Sequence, residues 1–436
     1  MEDIVIKGGE VVDPSSGLHD LLEILIRNGK IAKIGKSIEG KKASVVDASG
    51  MIVSPGLIDL HTHLCDPGFT RREDIRSGSR SAAAGGFTTV VTMPNTEPVI
   101  DNSTIVYYVA ARSREAACVR VLPAAAVTKG MKGAEISPIG SLKAAGAVML
   151  SNDEHPILDA EIMRRAMSLN RSFDLPFSLH CEEPSLSRGG FVREGNASVR
   201  MGVKGIPDIA ETTVMSRDIL IAMSTNTRLH INHIGSKSAV DLIRTAKEKG
   251  GHVTCDVTPF HFFFTDAEMV NFDPNFKFYP PIGNQEDVEA IREGLRDGTI
   301  DIIASDHIPW TSEEKNIEFD QAPFGAVGLE TLFAMSFTTL VLSGILTIDE
   351  LLRRLTVNPA RILKIPLGRL VEGAEADISI LDTKATWVVE PEHFESLSSN
   401  TPMKGKTLRG KPHATIVRGQ VVMMEGKIQE GVFPFK

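Results

Sequence analysis

Between about residues 55 and 365 the chain alternates short apolar runs with longer amphipathic segments, and this alternation restricts the fold more than any other feature. Eight runs have the length and composition of buried strands: Ile52–His63, Phe87–Met93, Val119–Ala126, Ala147–Ser151, Phe177–His180, Arg228–His233, His252–Thr258 and Ile300–Ser305. Segments such as Asn102–Glu115, Ala160–Asn170, Ala239–Lys249 and Leu329–Leu342 lie between or after them with a helical period. A strand–helix repeat of this kind builds a parallel sheet. Eight repeats is the count of a TIM-type (β/α)8 barrel. An open doubly wound sheet is the alternative, weakened because no Gly-rich nucleotide fingerprint follows a strand.

Both flanks read differently. Residues 1–54 hold the strand-like runs Ile4–Ile6, Ile24–Arg27, Ile31–Ile34 and Val45–Asp47, separated by Gly8-Gly9, Asn28-Gly29 and Gly40. Asn-Gly between such runs is a strong hairpin signal, because both residues tolerate positive φ. The same texture returns after residue 365 in Asp377–Leu381, Thr415–Val417 and Gln420–Met423. The expected organisation is a catalytic α/β barrel over 55–365 beside one small β-sandwich-like domain assembled from 1–54 and 366–436.

Composition narrows the function classes. A net charge of −9 without a basic cluster argues against a nucleic-acid partner. No apolar span reaches the roughly 18 residues of a membrane helix. The start, Met1-Glu2-Asp3-Ile4-Val5-Ile6, lacks the basic and long apolar regions of a signal peptide. The four cysteines, Cys65, Cys118, Cys181 and Cys255, are far apart, which suits reduced thiols in a cytoplasm. Cys65 and Cys181 fall just after strand ends and are the two with a possible role.

Reactive groups of a TIM-type barrel sit at the C-terminal strand ends. The first run ends in His61-Thr62-His63, and side chains two apart on a strand share a face, so both imidazoles project together. Asp153 follows the fourth strand, His180 ends the fifth, His233 ends the sixth and Asp306 follows the eighth. Imidazole and carboxylate are good ligands for zinc and related divalent ions. Singly, each has an ordinary reading: an Asp at a strand–helix junction caps the helix, and a lone His-x-His is a weak motif. Six on one rim favour metal, with room for two ions bridged by Asp153. His230 cannot share His233's face by the two-residue rule, and His155, His252 and His307 are assigned to support or packing. A metal lowers the pKa of bound water from ~15.7 toward ~7. A carboxylate such as Asp306 can relay the proton to a leaving nitrogen. The expected chemistry is metal-assisted hydrolysis of a C–N bond.

Further motifs follow in order along nearly the whole chain. They are Pro55-Gly56-Leu57-Ile58-Asp59, Asp66-Pro67-Gly68, Ala83–Thr89, Met93-Pro94-Asn95-Thr96, Val257-Thr258-Pro259, Ala304-Ser305-Asp306-His307, Ala322-Pro323-Phe324-Gly325, Val327–Glu330 and Asn358–Leu363. In these the chain resembles the class I dihydroorotases of the amidohydrolase superfamily. The resemblance implies that His61, His63, Asp153, His180, His233 and Asp306 take the zinc-ligand positions. Asp306 takes the catalytic acid/base position, and Asp153 stands where many relatives bridge two metals with a carboxylated lysine. It implies reversible closure of N-carbamoyl-L-aspartate to L-dihydroorotate, two zinc ions per chain, a cytoplasmic homo-oligomer such as a dimer, and association with aspartate carbamoyltransferase. A non-catalytic partner of that transferase is the other class of function, and such a chain is expected to have lost metal ligands.

The substrate side departs from the family pattern. Cys65 stands in place of an Arg, Trp310 in place of a His, and Tyr279-Pro280-Pro281-Ile282-Gly283 in place of Asn-Pro-Pro-Leu-Arg. Asn95 and the Phe324-Gly325 backbone remain as substrate contacts, with Cys65, Tyr279 and Trp310 beside them. Two readings stay open. Arg71 or Arg72 reaches the substrate carboxylate, or an aromatic pocket of Trp310, Tyr279 and Phe262–Phe264 accepts a less anionic cyclic amide, ureide or imide. Core packing is the ordinary reading of the three phenylalanines.

Overall fold

The computed structural model describes residues 2–39 and 43–435, so the turn expected at Gly40 lies outside the described residues. Eight parallel strands form the central sheet in sequence order: Leu57–Thr62, Phe87–Thr92, Arg120–Ala126, Met149–Ser151, Phe177–Leu179, Leu229–Ile231, Val253–Val257 and Ile302–Ile303. Thr62 bridges His307 in parallel fashion, and the His63 N–H donates to the His307 carbonyl at 2.9 Å. The buried Asp59 carboxylate adds a tie, accepting from the Ser305 and His61 amides. Strands one and eight therefore meet, and the sheet closes into a TIM-type barrel.

Capping residues set where the outer helices begin. Asp74 caps Ile75–Ala84, Ser236 caps Lys237–Glu248 and Asn284 caps Gln285–Asp297, each accepting from a first-turn amide that has no partner within the helix. The segment expected as a helix over Leu329–Leu342 is helical only from Leu332, and passes into a π-turn at Phe337–Val341. Before it, Gly328 lies so close to Ser305 that a Cβ would sit 2.8 Å from the Ser305 carbonyl oxygen. That close approach holds the preceding residues in a turn against the eighth strand.

Both chain ends build the β-structure beside the barrel. Ile52–Pro55 pairs with Ile378–Val388 on one side and Glu10–Asp13 on the other, within a seven-stranded sheet. A four-stranded sheet from residues 4–47 shares its apolar core, including Ile6, Ile24, Val53, Ile378 and Ile416. Asn28 and Gly29 both have positive φ, as the hairpin signal requires.

The run expected as one strand over Ile52–His63 is two. It steps from the small sheet to the barrel at Gly56, where a Cβ would lie 2.1 Å from Thr88 Oγ1. Only glycine allows that approach. The C-terminal segment does more than complete a sheet. Between Ile378–Val388 and Thr407–Val417 it runs along the helix Ile75–Ala84, where Glu330 accepts from the Glu395 and Ser396 amides, up to the barrel mouth, where Glu73 accepts from Leu397. Asn400 then donates to the Ile308 and Gly325 carbonyls and accepts from the Trp310 amide.

Candidate active site

Five strand ends bring His61, His63, Asp153, His180, His233 and Asp306 into one buried cluster, none more than 6% exposed. Asp153 is its centre: its carboxylate lies 3.1 Å from His61 Nε2, 3.3 Å from His63 Nε2 and 3.7 Å from His233 Nε2. Asp306 Oδ1 lies 3.3 Å from His61 and 3.7 Å from His63. Three sets have ligand atoms close enough to share an ion: His61, His63 and Asp153; His61, His233 and Asp306; Asp153, His180 and His233. His61 Nδ1, His63 Nε2, His233 Nδ1 and Asp306 Oδ1 are buried without a hydrogen-bond partner. Unpartnered polar atoms at that depth are costly unless something else satisfies them, and a cation among them does so.

Electrostatics point the same way. Burial opposes ionisation of Asp306, but the imidazoles around it, His61 first, hold it at about 2. Burial likewise opposes charge on His61, yet Asp153 and then Asp306 lift it to about 9. The cluster is thus built to favour positive charge at its centre. His233 and Asp306 have φ of 34° and 46°. Non-glycine residues adopt that left-handed backbone at a cost of order 1–3 kcal/mol, and such strain gathers at functional sites. Here it turns both side chains inward just past their strands.

Partners around the cluster fix each ring, and several lie outside the sequence-based set. Glu182 accepts from His180 Nε2 at 3.0 Å, leaving Nδ1 towards His233. Asn95 Oδ1 meets His63 Nδ1 at 2.8 Å, and its amide nitrogen donates to Glu154 at 3.0 Å. Asn232 donates to Asp153 at 3.3 Å. The signal for Glu182, Asn232 and Glu154 was adjacency: each sits one or two residues from a cluster member. His230 pairs with Asp256 and His307 with Glu73, in keeping with supporting roles.

A model of the Dihydro-orotase-like family matches residues 50–239. The dihydroorotase of Pelotomaculum thermopropionicum is 47% identical over 98% of this chain and 100% of its own length. The chain belongs to the dihydroorotase family. The dihydroorotase of Syntrophus aciditrophicus is 45% identical over 97% of this chain and 99% of its own. Among solved structures, an L-hydantoinase (dihydropyrimidinase) from Arthrobacter aurescens superposes with a TM-score of 0.89 at 25% identity, covering 98% of each chain. A dihydropyrimidinase from Brevibacillus agri has the same fold, with a TM-score of 0.86 at 21% identity over 99% of this chain and 97% of its own. Family membership and the cluster together make this a metal-dependent hydrolase with a small-molecule substrate. No helix among the described residues is long and apolar enough to cross a membrane.

The remaining residues that the dihydroorotase resemblance singles out are less free than the sequence suggests. Both polar atoms of the Asn95 amide are engaged, as above. The Gly325 amide donates to the Lys277 carbonyl, and its own carbonyl accepts from Lys315 and Asn400. The Trp310 indole donates to the Phe324 carbonyl, and Phe324 stacks on Tyr279 at 3.8 Å. The Tyr279 ring is 6.2 Å from that of His180, so this stack forms a wall running to the cluster. Cys65 and Cys181 are buried thiols pushed up by desolvation, which makes them poor nucleophiles. Phe262 and Phe264 pack in the apolar core.

His261 secures the wall from beneath, between Thr258 Oγ1 at 2.8 Å and the Pro280 carbonyl at 2.9 Å. Burial pushes it down to about 4, so the folded protein keeps this ring neutral. An unfolded histidine titrates near 6.5. Between those values the unfolded chain binds a proton that the folded one refuses. Stability present above pH ~6.5 is therefore lost as pH falls towards 4, by about 3 kcal/mol in total. Denaturant unfolding across that range should show a shallower acid limb in His261→Gln. Equal limbs would clear His261 of this role.

Proposed function

We propose that the protein is a dihydroorotase, interconverting L-dihydroorotate and N-carbamoyl-L-aspartate. The convergence of six buried imidazole and carboxylate groups at one barrel rim carries the reading. Relatives that bear the name dihydroorotase over the full chain support it. His61, His63 and Asp153 would hold one zinc ion and Asp153, His180 and His233 a second, with Asp306 beside the first. Bound there, the ions supply an ionised water at neutral pH and polarise the ring carbonyl.

The chain's own groups supply the rest. Asp306, ionised at neutral pH, is placed to accept a proton from the nucleophile and return it to the leaving ring nitrogen. Glu182 and Asn95 fix the tautomers of His180 and His63, so that the other ring nitrogen of each is the one presented. The stacked Tyr279 and Phe324 give a flat ring an apolar side to lie against. In the division supported by strand pairing, residues 55–365 carry these groups and 1–54 with 366–436 form the smaller unit, whose residues 395–400 complete the mouth. A cytoplasmic homodimer is the setting we assign, on the family resemblance and the four free, buried cysteines.

The zinc-loaded protein should hydrolyse L-dihydroorotate and form it from N-carbamoyl-L-aspartate. Turnover of hydantoin or 5,6-dihydrouracil with none of L-dihydroorotate would replace this reading with that of an uncharged cyclic ureide.

A further inference from the structure

We infer that Arg72 receives the carboxylate of the ring substrate, supplying the cation that Cys65 and Trp310 do not. The inference rests on the dihydroorotase reading, which requires an anionic substituent to be held.

Cys65 and Trp310 lie on the loops after strands one and eight, the two strands that meet where the barrel closes. Arg72 belongs to the first of these loops, which folds back on itself: the Phe69 amide donates to the Cys65 carbonyl, and the Arg72 amide to the Phe69 carbonyl. That fold lays the guanidinium flat on the second loop, with its central carbon 3.9 Å from the Trp310 ring centroid. Phe69 lies 4.8 Å away. Ser398, from the segment that crosses the mouth, donates to the Arg72 carbonyl at 2.8 Å.

A guanidinium has two edges able to grip a carboxylate. Glu314 takes the Nε side, with Nε 2.9 and 3.0 Å from its two oxygens and Nη2 also bonded. Among the described residues Nη1 has no hydrogen-bond partner, and the side chain keeps 23% of its surface exposed. So one edge and one face are fixed, and the other edge is open. From Trp310 a chain of contacts leads to the cluster: its indole donates to the Phe324 carbonyl, Phe324 stacks on Tyr279, and Tyr279 meets His180 edge-on at 6.2 Å. Arg72 and the cluster mark the two ends of one wall.

Lys277, Lys315 and Arg193, by contrast, are already engaged. Lys277 donates to the Phe319 and Ala322 carbonyls, and Lys315 to those of Pro323 and Gly325. Arg193 donates to the Gly235 carbonyl and faces Asp287. Arg71 is exposed.

The test compares the zinc-loaded enzyme with Arg72→Ala and Arg72→Lys. Two quantities are read: KM for L-dihydroorotate, and the inhibition constant of 5,6-dihydrouracil, the same ring without its carboxylate. Arg72→Ala should raise KM at least about 50-fold, and Arg72→Lys, which keeps charge but loses the fork, about tenfold. The inhibition constant should move less than about threefold. A KM within about threefold in both variants overturns the proposal and leaves the dihydroorotase reading standing. Parallel shifts in both quantities also overturn it, because they make Arg72 a strut between the loops. If Arg72→Ala does not fold, Arg72→Lys decides by the same criteria. A parent enzyme with no turnover of L-dihydroorotate removes the dihydroorotase reading itself, and the proposal with it.

Discussion

Asp306→Ala is expected to lower kcat by about 10³-fold or more while the protein stays folded and keeps at least one metal ion. A positioned acid/base group contributes about 10²–10⁴-fold, and this one also sits against two imidazoles of the cluster. The imidazoles around it hold its carboxyl at about 2, so it is ionised at neutral pH. Its left-handed backbone, at φ 46°, aims it into the cluster from a position just past the last strand. Asp306→Asn keeps the shape but loses the charge and the basicity, so it should be nearly as inactive. The checks are turnover, metal content and circular dichroism on the same samples. A metal-replete Asp306→Ala within about tenfold of the parent would remove Asp306 from proton transfer.

Stripping metal should have an effect as large, and Asp153 is where it can be dissected. Exhaustive chelation is expected to abolish turnover, and added zinc to restore it. Because Asp153 lies within 3.7 Å of three histidines, Asp153→Ala removes the group common to both proposed ion positions. Bound zinc should fall from two per chain to one or none, with activity down about 10³-fold or more. Zinc added to the stripped parent should also raise its melting temperature, because a ligand at about 1,000 times its Kd adds about 4 kcal/mol to the folded state. Two tightly held zinc ions in Asp153→Ala would refute the bridging assignment.

The barrel could be read from the sequence because its strands are buried on both faces and its helices carry one apolar stripe. Those two periods survive without tertiary information. The six cluster residues were visible for a related reason: strand ends are locatable, and six imidazoles and carboxylates on one rim outweigh the ordinary use that each has alone. What escaped was whatever depends on backbone crossing at close range. The break at Gly56 arises because Thr88, from a different strand, leaves no space for a Cβ. Residues 395–400 have no apolar period, and only the Glu73 and Asn400 contacts show that they reach the barrel mouth. Asn95, Phe324 and Gly325 were legible as motif positions. Their hydrogen-bonding capacity was not, since it is taken up by Glu154, Trp310 and Lys277, residues distant in the chain.

Because Asn400 pins Trp310 and Gly325, and Ser398 pins Arg72, the entrance is finished by residues made long after the barrel's last strand. The cluster's histidines are thus made well before the residues that finish the doorway and those, such as Val417 and Met423, that complete the barrel's apolar core. Activity should switch on late in translation, when the closing segment leaves the exit tunnel.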